Sequence, residues 1–122
     1  MATEVKRAVR VAERLREELA VLVAQEVRDP RVAGVVVARV QMTDDLRSAR
    51  VFFRLLTGGD AARREEAATG LASAAGMLRR EVTRRLQLRS APVLAFTYDA
   101  AQEKIERIEA LLHEVREDGR KR

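Results

Sequence analysis

The 122-residue sequence contains no cysteine, no tryptophan, two prolines and one histidine, and its only aromatic residues are three phenylalanines and one tyrosine. The lack of cysteine excludes disulfides, thiolate metal sites and cysteine nucleophiles, and it fits a reducing cytoplasm, where we expect the protein. The polar segment 1–10 lacks the apolar centre of a signal peptide. The apolar runs are too short to cross a bilayer, so we expect a soluble protein without a membrane partner.

Residues that support catalysis are equally scarce. His113 is the single histidine and lies in an acidic segment, which favours a surface position. Asp44 and Asp45 are adjacent carboxylates in a polar connection, where such residues usually cap and solvate a turn. Ser73 and Ser90 have no histidine nearby in the sequence, and neither a P-loop nor a G-x-G-x-x-G motif is present. We therefore predict no enzymatic activity, cofactor, metal or small-molecule substrate.

The composition is that of a folded chain, with 47% hydrophobic and 35% charged residues. Its length fits one domain, which we place at residues 1–117, followed by a short basic tail at 118–122. The net charge of +5 favours a polyanionic partner. A monomer is the default expectation.

Residues 3–28 predict one long amphipathic helix, because apolar residues recur at steps of three and four. Thr3 is a candidate N-cap and Asp29-Pro30 a candidate end. Segment 35–43 alternates instead, which predicts a strand with Val36, Ala38, Val40 and Met42 on one face. Segment 49–55 alternates as well, and the short polar connection between the two segments predicts an antiparallel hairpin.

The second half predicts helices around a third strand. Asp60 can cap a helix that runs from residue 61 to about residue 75, where Gly76 interrupts it before a second helix to about residue 88. Segment 93–98 alternates as a strand, and segment 101–115 has helical periodicity. The order is helix, strand, strand, helix, helix, strand, helix. This order predicts an α+β fold with a three-stranded sheet packed on helices.

That order resembles type II KH domains (αββααβ) with an additional C-terminal helix. KH domains hold the backbone of a single-stranded nucleic acid with a GXXG loop between two helices. In this sequence the motif Ala74-Ala75-Gly76 lies where the loop would fall, and an Ala-x-Gly kink of this kind is typical of the ribosome-binding factor A family, which the sequence strongly resembles. Further blocks that carry the resemblance are Arg10–Leu15, Glu26–Arg31, Thr43–Val51, Ala74–Glu81, Leu86–Arg89 and Pro92–Asp99.

The resemblance implies a non-catalytic maturation factor. Members of the family bind the small ribosomal subunit and its ribosomal RNA, assist late assembly and the processing of RNA ends, and are associated with growth in the cold. Met77 stands where many members have an aromatic residue. The C-terminal tail is short in this sequence, so we do not expect it to perform functions of the longer tails of other family members.

The distribution of charge supports RNA binding independently. Segment 77–91 has five arginines against one glutamate, segment 6–16 has five cations against one glutamate, and segment 101–118 is acidic. Arginine binds phosphate through paired hydrogen bonds. Gly76 is either a pivot that directs the basic segment 77–91 toward RNA or a plain helix kink. The predicted RNA-binding residues are Lys6, Arg7, Arg10, Arg14, Arg79, Arg80, Arg84, Arg85 and Arg89.

The few aromatic residues argue against recognition by base stacking. Phe53, Phe96 and Tyr98 alternate as core residues, whereas Phe52 points the other way, either toward a base or beneath a helix. Two other functions stay open: a protein-interaction adaptor that uses the apolar stripe of the last helix, and a ribosome-dormancy factor. For that stripe we favour a role as cover for the open sheet.

Overall fold

Three helices and three strands follow one another in a computed structural model that describes residues 2–120, except for the side chains at 2, 102 and 118–120. The fold is α+β and KH-like, as predicted, with a three-stranded sheet packed on helices. None of the described helices is long and apolar enough to cross a membrane. The elements are α1 (Ala2–Gln25), a 3₁₀ turn (Pro30–Val32), β1 (Val35–Met42), β2 (Ser48–Leu55), α2 (Ala61–Leu86), β3 (Val93–Tyr98) and α3 (Ala100–Arg120).

Helix α1 buries the predicted apolar stripe from Ala12 to Val23, with Leu15, Leu19 and Leu22 fully buried, whereas Val5 and Val9 at its N-terminal end are exposed, against the prediction. It begins at Ala2, so Thr3 lies inside its first turn, and it ends at Gln25, before the predicted end. Asp29 caps the 3₁₀ turn instead: its carboxylate accepts a hydrogen bond from the Arg31 backbone N–H at 2.9 Å and holds the Arg31 guanidinium. This hydrogen bonding lowers the pKa of Asp29.

The sheet has the order β1-β2-β3, in which β1 and β2 are antiparallel, as predicted, and β2 and β3 are parallel. A β-bulge between Val37 and Arg39 corrects the predicted faces of β1. Val37 pairs with Phe53 and is buried, whereas Val36 pairs with Arg54 on the opposite face and Ala38 is the extra residue. A bulge shifts the alternation by one residue, which strict periodicity does not predict.

The hairpin turn is closed by side-chain hydrogen bonds. The Thr43 hydroxyl accepts from the Ser48 N–H at 3.1 Å and donates to Asp45 at 2.7 Å, and Asp45 also accepts from the Arg47 N–H at 3.0 Å. The Thr43 bond and then the Arg47 bond lower the pKa of Asp45. The carboxylate therefore caps this turn, as the sequence predicted.

Helix α2 is one continuous helix from Ala61 to Leu86, so the predicted interruption between two helices at Gly76 is wrong. Its N-cap is Asp60, as predicted, which accepts from the Arg63 N–H. Gly70 rather than Gly76 is the glycine that packing requires. A Cβ at Gly70 would lie 2.9 Å from atoms of both Arg31 and Val32, so its absence lets the 3₁₀ turn pack against α2.

One core joins α1, α2 and the inner face of the sheet, including the predicted core residues Phe53, Phe96 and Tyr98. Helix α3 contributes nothing to this core among its described side chains, which corrects the expectation that it covers the open sheet. Its apolar stripe is about half exposed and consists of Ile105, Ile108, Leu111, Leu112 and Val115.

Polar contacts tether the first turns of α3 to the rest of the domain. Glu103 accepts hydrogen bonds from the Tyr98 hydroxyl at 2.5 Å and from Arg64 at 3.0 Å, and Glu106 pairs with Arg54. Burial, followed by the nearby Glu103 carboxylate, raises the pKa of Tyr98. Of the predicted tail 118–122, the backbone of 118–120 continues α3, and residues 121–122 lie outside the described part of the chain.

Candidate nucleic-acid interface

Helices α1 and α2 run in opposite directions beside each other. The C-terminal part of α2 contacts α1 where the Arg85 guanidinium donates to Glu18 at 3.0 Å, and the middle of α2 packs on the 3₁₀ turn that follows α1. Arg7 and Arg14 share a helical face with Glu18, because they precede it by eleven and four residues. These two arginines of α1 therefore lie on the flank facing the basic end of α2.

The predicted cations of α1 are free to bind a polyanion. Lys6, Arg7, Arg10 and Arg14 are exposed, and within residues 2–120 none of them has a hydrogen-bonded or ion-paired partner. Arg16, which completes the basic segment, is instead paired with Glu13 at 2.6 Å. An unpaired guanidinium can bind a phosphate without first breaking an existing ion pair.

In the C-terminal part of α2 and the following loop, the predicted cations fall into two groups. Arg80 and Arg89 are exposed and unpaired among the described residues. Arg84 pairs with Glu81 at 2.7 Å, and Arg85 pairs with both Glu18 and Glu81. The Arg84 hydrogen bond is the main cause of the lowered pKa of Glu81. Such exposed pairs are weak, so a phosphate can replace the carboxylate.

Arg79 is placed differently from the other predicted cations. Its guanidinium donates to the backbone carbonyls of Pro92 at 2.9 Å and Ala91 at 3.1 Å, in the segment that leads into β3. The side chain therefore joins α2 to the start of β3, and it lies apart from the unpaired Arg80.

The motif Ala74-Ala75-Gly76 lies on α2 one turn before the basic segment. Gly76 is exposed, and a Cβ there would meet nothing closer than the Arg80 guanidinium at 3.6 Å. The glycine therefore leaves the helix surface beside Arg80 uncovered. The helix is continuous at Gly76, so the glycine provides this open surface and not a break between two helices.

Sequence reasoning overlooked a second group of arginines. Every charged residue within the three strands is an arginine, and all of them (Arg39, Arg50 and Arg54) lie on the sheet face opposite the core. Arg28 and Arg47, in the connections, are exposed as well. The period-two alternation already separated the strand arginines from the core residues, and this was the available signal.

The described residues include no group of three or more histidine, cysteine or acidic side chains that would hold a metal. His113 is exposed and lies 3.0 Å from Glu117 on the acidic helix α3. The exposed cations that are candidates for binding a polyanion lie on α1, in the α2 C-terminal region and on the outer face of the sheet.

Comparisons with known proteins identify the family. The family described as "Ribosome-binding factor A" matches residues 7–112. The ribosome-binding factor A of Sorangium cellulosum is 51% identical over 118 residues, covering 96% of this chain and 94% of that protein. The crystal structure of ribosome-binding factor A from Thermus thermophilus is similar in fold, with a TM-score of 0.64 at 24% identity, over 75% of this chain and 94% of that one.

A second match is a homology model of the Thermus thermophilus factor as fitted into a cryo-EM map of a 30S complex. It matches with a TM-score of 0.51 at 24% identity and covers 69% of this chain and 90% of that one. The family match spans nearly all of the fold, including the hairpin, the Ala-x-Gly segment and most of α3. The chain therefore belongs to the ribosome-binding factor A family.

Proposed function

We propose that the protein binds the small ribosomal subunit through its ribosomal RNA and assists late assembly and RNA end processing without catalysing a reaction. The observation that carries this proposal is the set of unpaired cations along α1 and at the end of α2. The Thermus relative that was fitted into a 30S complex supports the choice of partner. A surface of this kind binds polyanions with an affinity that falls steeply as salt rises.

The mechanism follows from how the surface recognises RNA. Phosphate contacts fix position and orientation but do not read sequence. The protein therefore favours the RNA conformer whose phosphates match its cations, and binding shifts the population toward that conformer. A factor acting in this way is most useful when misfolded RNA helices rearrange slowly. We propose that the protein acts in this way in the cytoplasm, as a monomer, and that it supports growth in the cold.

Charge reversal tests the proposal. The combined variant Lys6→Glu, Arg10→Glu and Arg80→Glu changes three exposed residues that have no partner in the described structure. We expect it to lose co-sedimentation with purified small subunits while its circular dichroism stays unchanged. The matched control reverses Lys104, Arg107 and Arg116 on α3, which is the same change in net charge at exposed positions. Equal loss in both variants, or no loss in either, would contradict the proposed surface.

The exposed stripe of α3 favours a second candidate function, a protein-interaction adaptor. Five large apolar side chains in one stripe form a surface that commonly marks a binding site. A salt titration separates the two functions, because an apolar interface responds little to salt whereas a phosphate-based interface weakens steeply. A dormancy factor would share the RNA chemistry but would sediment with mature ribosomes rather than with precursor particles.

A further inference from the structure

The face of the sheet opposite the core is open over much of its area. Arg39, Gln41, Arg50, Ala95 and Thr97 lie on this outer face and are exposed. Helices α1 and α2 pack on the other face, and among the described side chains the polar contacts of α3 with the strands are those of Glu106 with Arg54 and of Glu103 with Tyr98. The strands contribute no carboxylate to the outer face. This face therefore carries the unpaired cation Arg50 beside the ion-paired Arg39 and Arg54, and it is separate from the basic surface on α1 and α2.

At the centre of the outer face a guanidinium lies over an aromatic ring. The Arg39 guanidinium carbon is 3.7 Å from the Phe52 ring centroid, and Arg39 Nε is 3.2 Å from an oxygen of the buried Asp99. Phe52 is only 8% exposed, so the ring itself is covered, but the Arg39 side chain is 46% exposed. The ring thus covers one face of the planar cation and Asp99 holds its Nε edge, while nearly half of the side chain stays exposed to solvent.

Beside this stacked pair lies a shallow groove. Its volume is about 440 Å³, and its lining includes Gln41, Arg50, Val93 and Ala95. The Arg50 side chain is exposed and has no hydrogen-bonded or ion-paired partner among residues 2–120. In the sheet, Arg50 lies opposite Gln41 on β1 and Ala95 on β3. The small side chain of Ala95 leaves room on the sheet next to a free guanidinium.

We propose that this outer face is a second RNA-binding surface that takes a single-stranded segment. A base stacks on the open side of the Arg39 guanidinium, and Arg50 binds an adjacent phosphate. The amide of Gln41 and the hydroxyl of Thr97 offer hydrogen bonds to base edges. Single-stranded RNA fits better than a protein, because protein interfaces need an apolar centre, and the largest exposed apolar side chain on this face is Val93 at its rim.

This inference rests on the proposed function and extends it. With cations on α1 and α2 at one surface and the sheet at another, one molecule contacts two RNA segments at once. Linking two contacts raises overall affinity well beyond that of either contact alone.

Site-specific photocrosslinking separates the two surfaces. A photoreactive amino acid replaces Ala95, Arg10 or Arg116 in the full chain, and each protein is irradiated with purified small subunits. We expect RNA crosslinks from positions 95 and 10 and none from 116. Crosslinks from 10 alone would overturn the second surface and leave the proposed function standing, whereas crosslinks from neither would overturn both. Crosslinks from 95 to ribosomal protein would also overturn the assignment to RNA.

Binding to a single-stranded RNA of about 12 nucleotides, labelled with a fluorophore, measures the contribution of each side chain. Arg39→Lys keeps the charge and the pairing with Asp99 but removes the planar surface, and we expect affinity to fall about fivefold. Arg50→Glu should lower affinity about tenfold, while the matched reversal Arg116→Glu should leave it unchanged. Wild-type affinity in Arg39→Lys would overturn the stacking, and wild-type affinity in Arg50→Glu would overturn the phosphate contact.

Discussion

The Arg79 guanidinium donates a hydrogen bond of 2.9 Å from Nε to the carbonyl oxygen of Pro92. A second bond, from Nη2 to Ala91, is 3.1 Å long. The next residue along α2, Arg80, is exposed and has no partner in the described part of the chain. Two adjacent arginines of one basic segment thus have different roles, one in joining α2 to β3 and the other at the surface.

Arg79→Ala is expected to lower the free energy of unfolding by about 1–2 kcal/mol, because two backbone carbonyls lose a charged donor. Arg80→Ala is expected to change it by less than about 0.5 kcal/mol, as is usual for an exposed side chain without partners. Urea unfolding followed by circular dichroism measures both values. Equal values for the two variants would contradict the structural role of Arg79.

The two glycines of α2 are expected to respond to alanine in opposite directions. Gly76→Ala should stabilise the protein by about 0.5–1 kcal/mol, because the site is helical and open. Gly70→Ala should destabilise it by about 1–3 kcal/mol, because the new Cβ would lie 2.9 Å from atoms of Arg31 and Val32. The midpoint of urea unfolding reports both changes. Loss of stability in Gly76→Ala would instead support a strained kink at this position.

Asp45 is expected to make stability depend on pH in the acid range. Its pKa is lowered in the folded state, so its contribution is complete above the unfolded value of about 3.9 and is lost as the pH falls through the folded pKa. Asp45→Asn keeps the shape and the acceptor oxygen but has no charge. We expect the urea midpoint of the variant to lie below that of the wild type at pH 7, with the difference narrowing toward pH 2. A difference that stays constant with pH would exclude a contribution from the charge.

The stripe on α3 is expected to be dispensable for folding. Ile108 is 49% exposed, so Ile108→Ser should change the free energy of unfolding by less than about 0.5 kcal/mol. Leu78 is fully buried in α2, and Leu78→Ala should cost about 2–5 kcal/mol. Thermal unfolding compares the two variants directly. A large loss in Ile108→Ser would mean that α3 packs on the domain in solution.

The salt dependence of binding counts the phosphate contacts. Removing Arg10, which is exposed and unpaired in the described structure, should lower the slope of log affinity against log salt by about one unit. Arg79→Ala should leave that slope unchanged under conditions in which the variant is folded, because the Arg79 guanidinium of the wild type is bound to backbone carbonyls. Titration of small-subunit binding between low and moderate salt measures both slopes. An unchanged slope in Arg10→Ala would place that residue outside the interface.

The local features of this protein are predictable from its amino-acid sequence alone. The apolar stripe of α1 from Ala12 to Val23, the antiparallel hairpin, the Asp60 cap and the turn carboxylate at Asp45 all follow from short-range periodicity and capping chemistry, and the structure confirms them. The motif blocks were also sufficient to predict the family. These features depend on residues only a few positions apart, where side-chain spacing and backbone geometry are directly related.

Which arginines are free and which apolar surfaces are covered depends instead on how the helices and strands pack against one another. Arg85 donates a hydrogen bond to Glu18, which is 67 positions away in the sequence, and Arg79 donates to the carbonyl of Pro92, 13 positions away. The bulge in β1 exchanged the faces of Val36 and Val37, and α3 left its apolar stripe uncovered. A long flexible side chain takes whichever acceptor the packed elements bring near it, so its partner depends on contacts that local sequence does not specify.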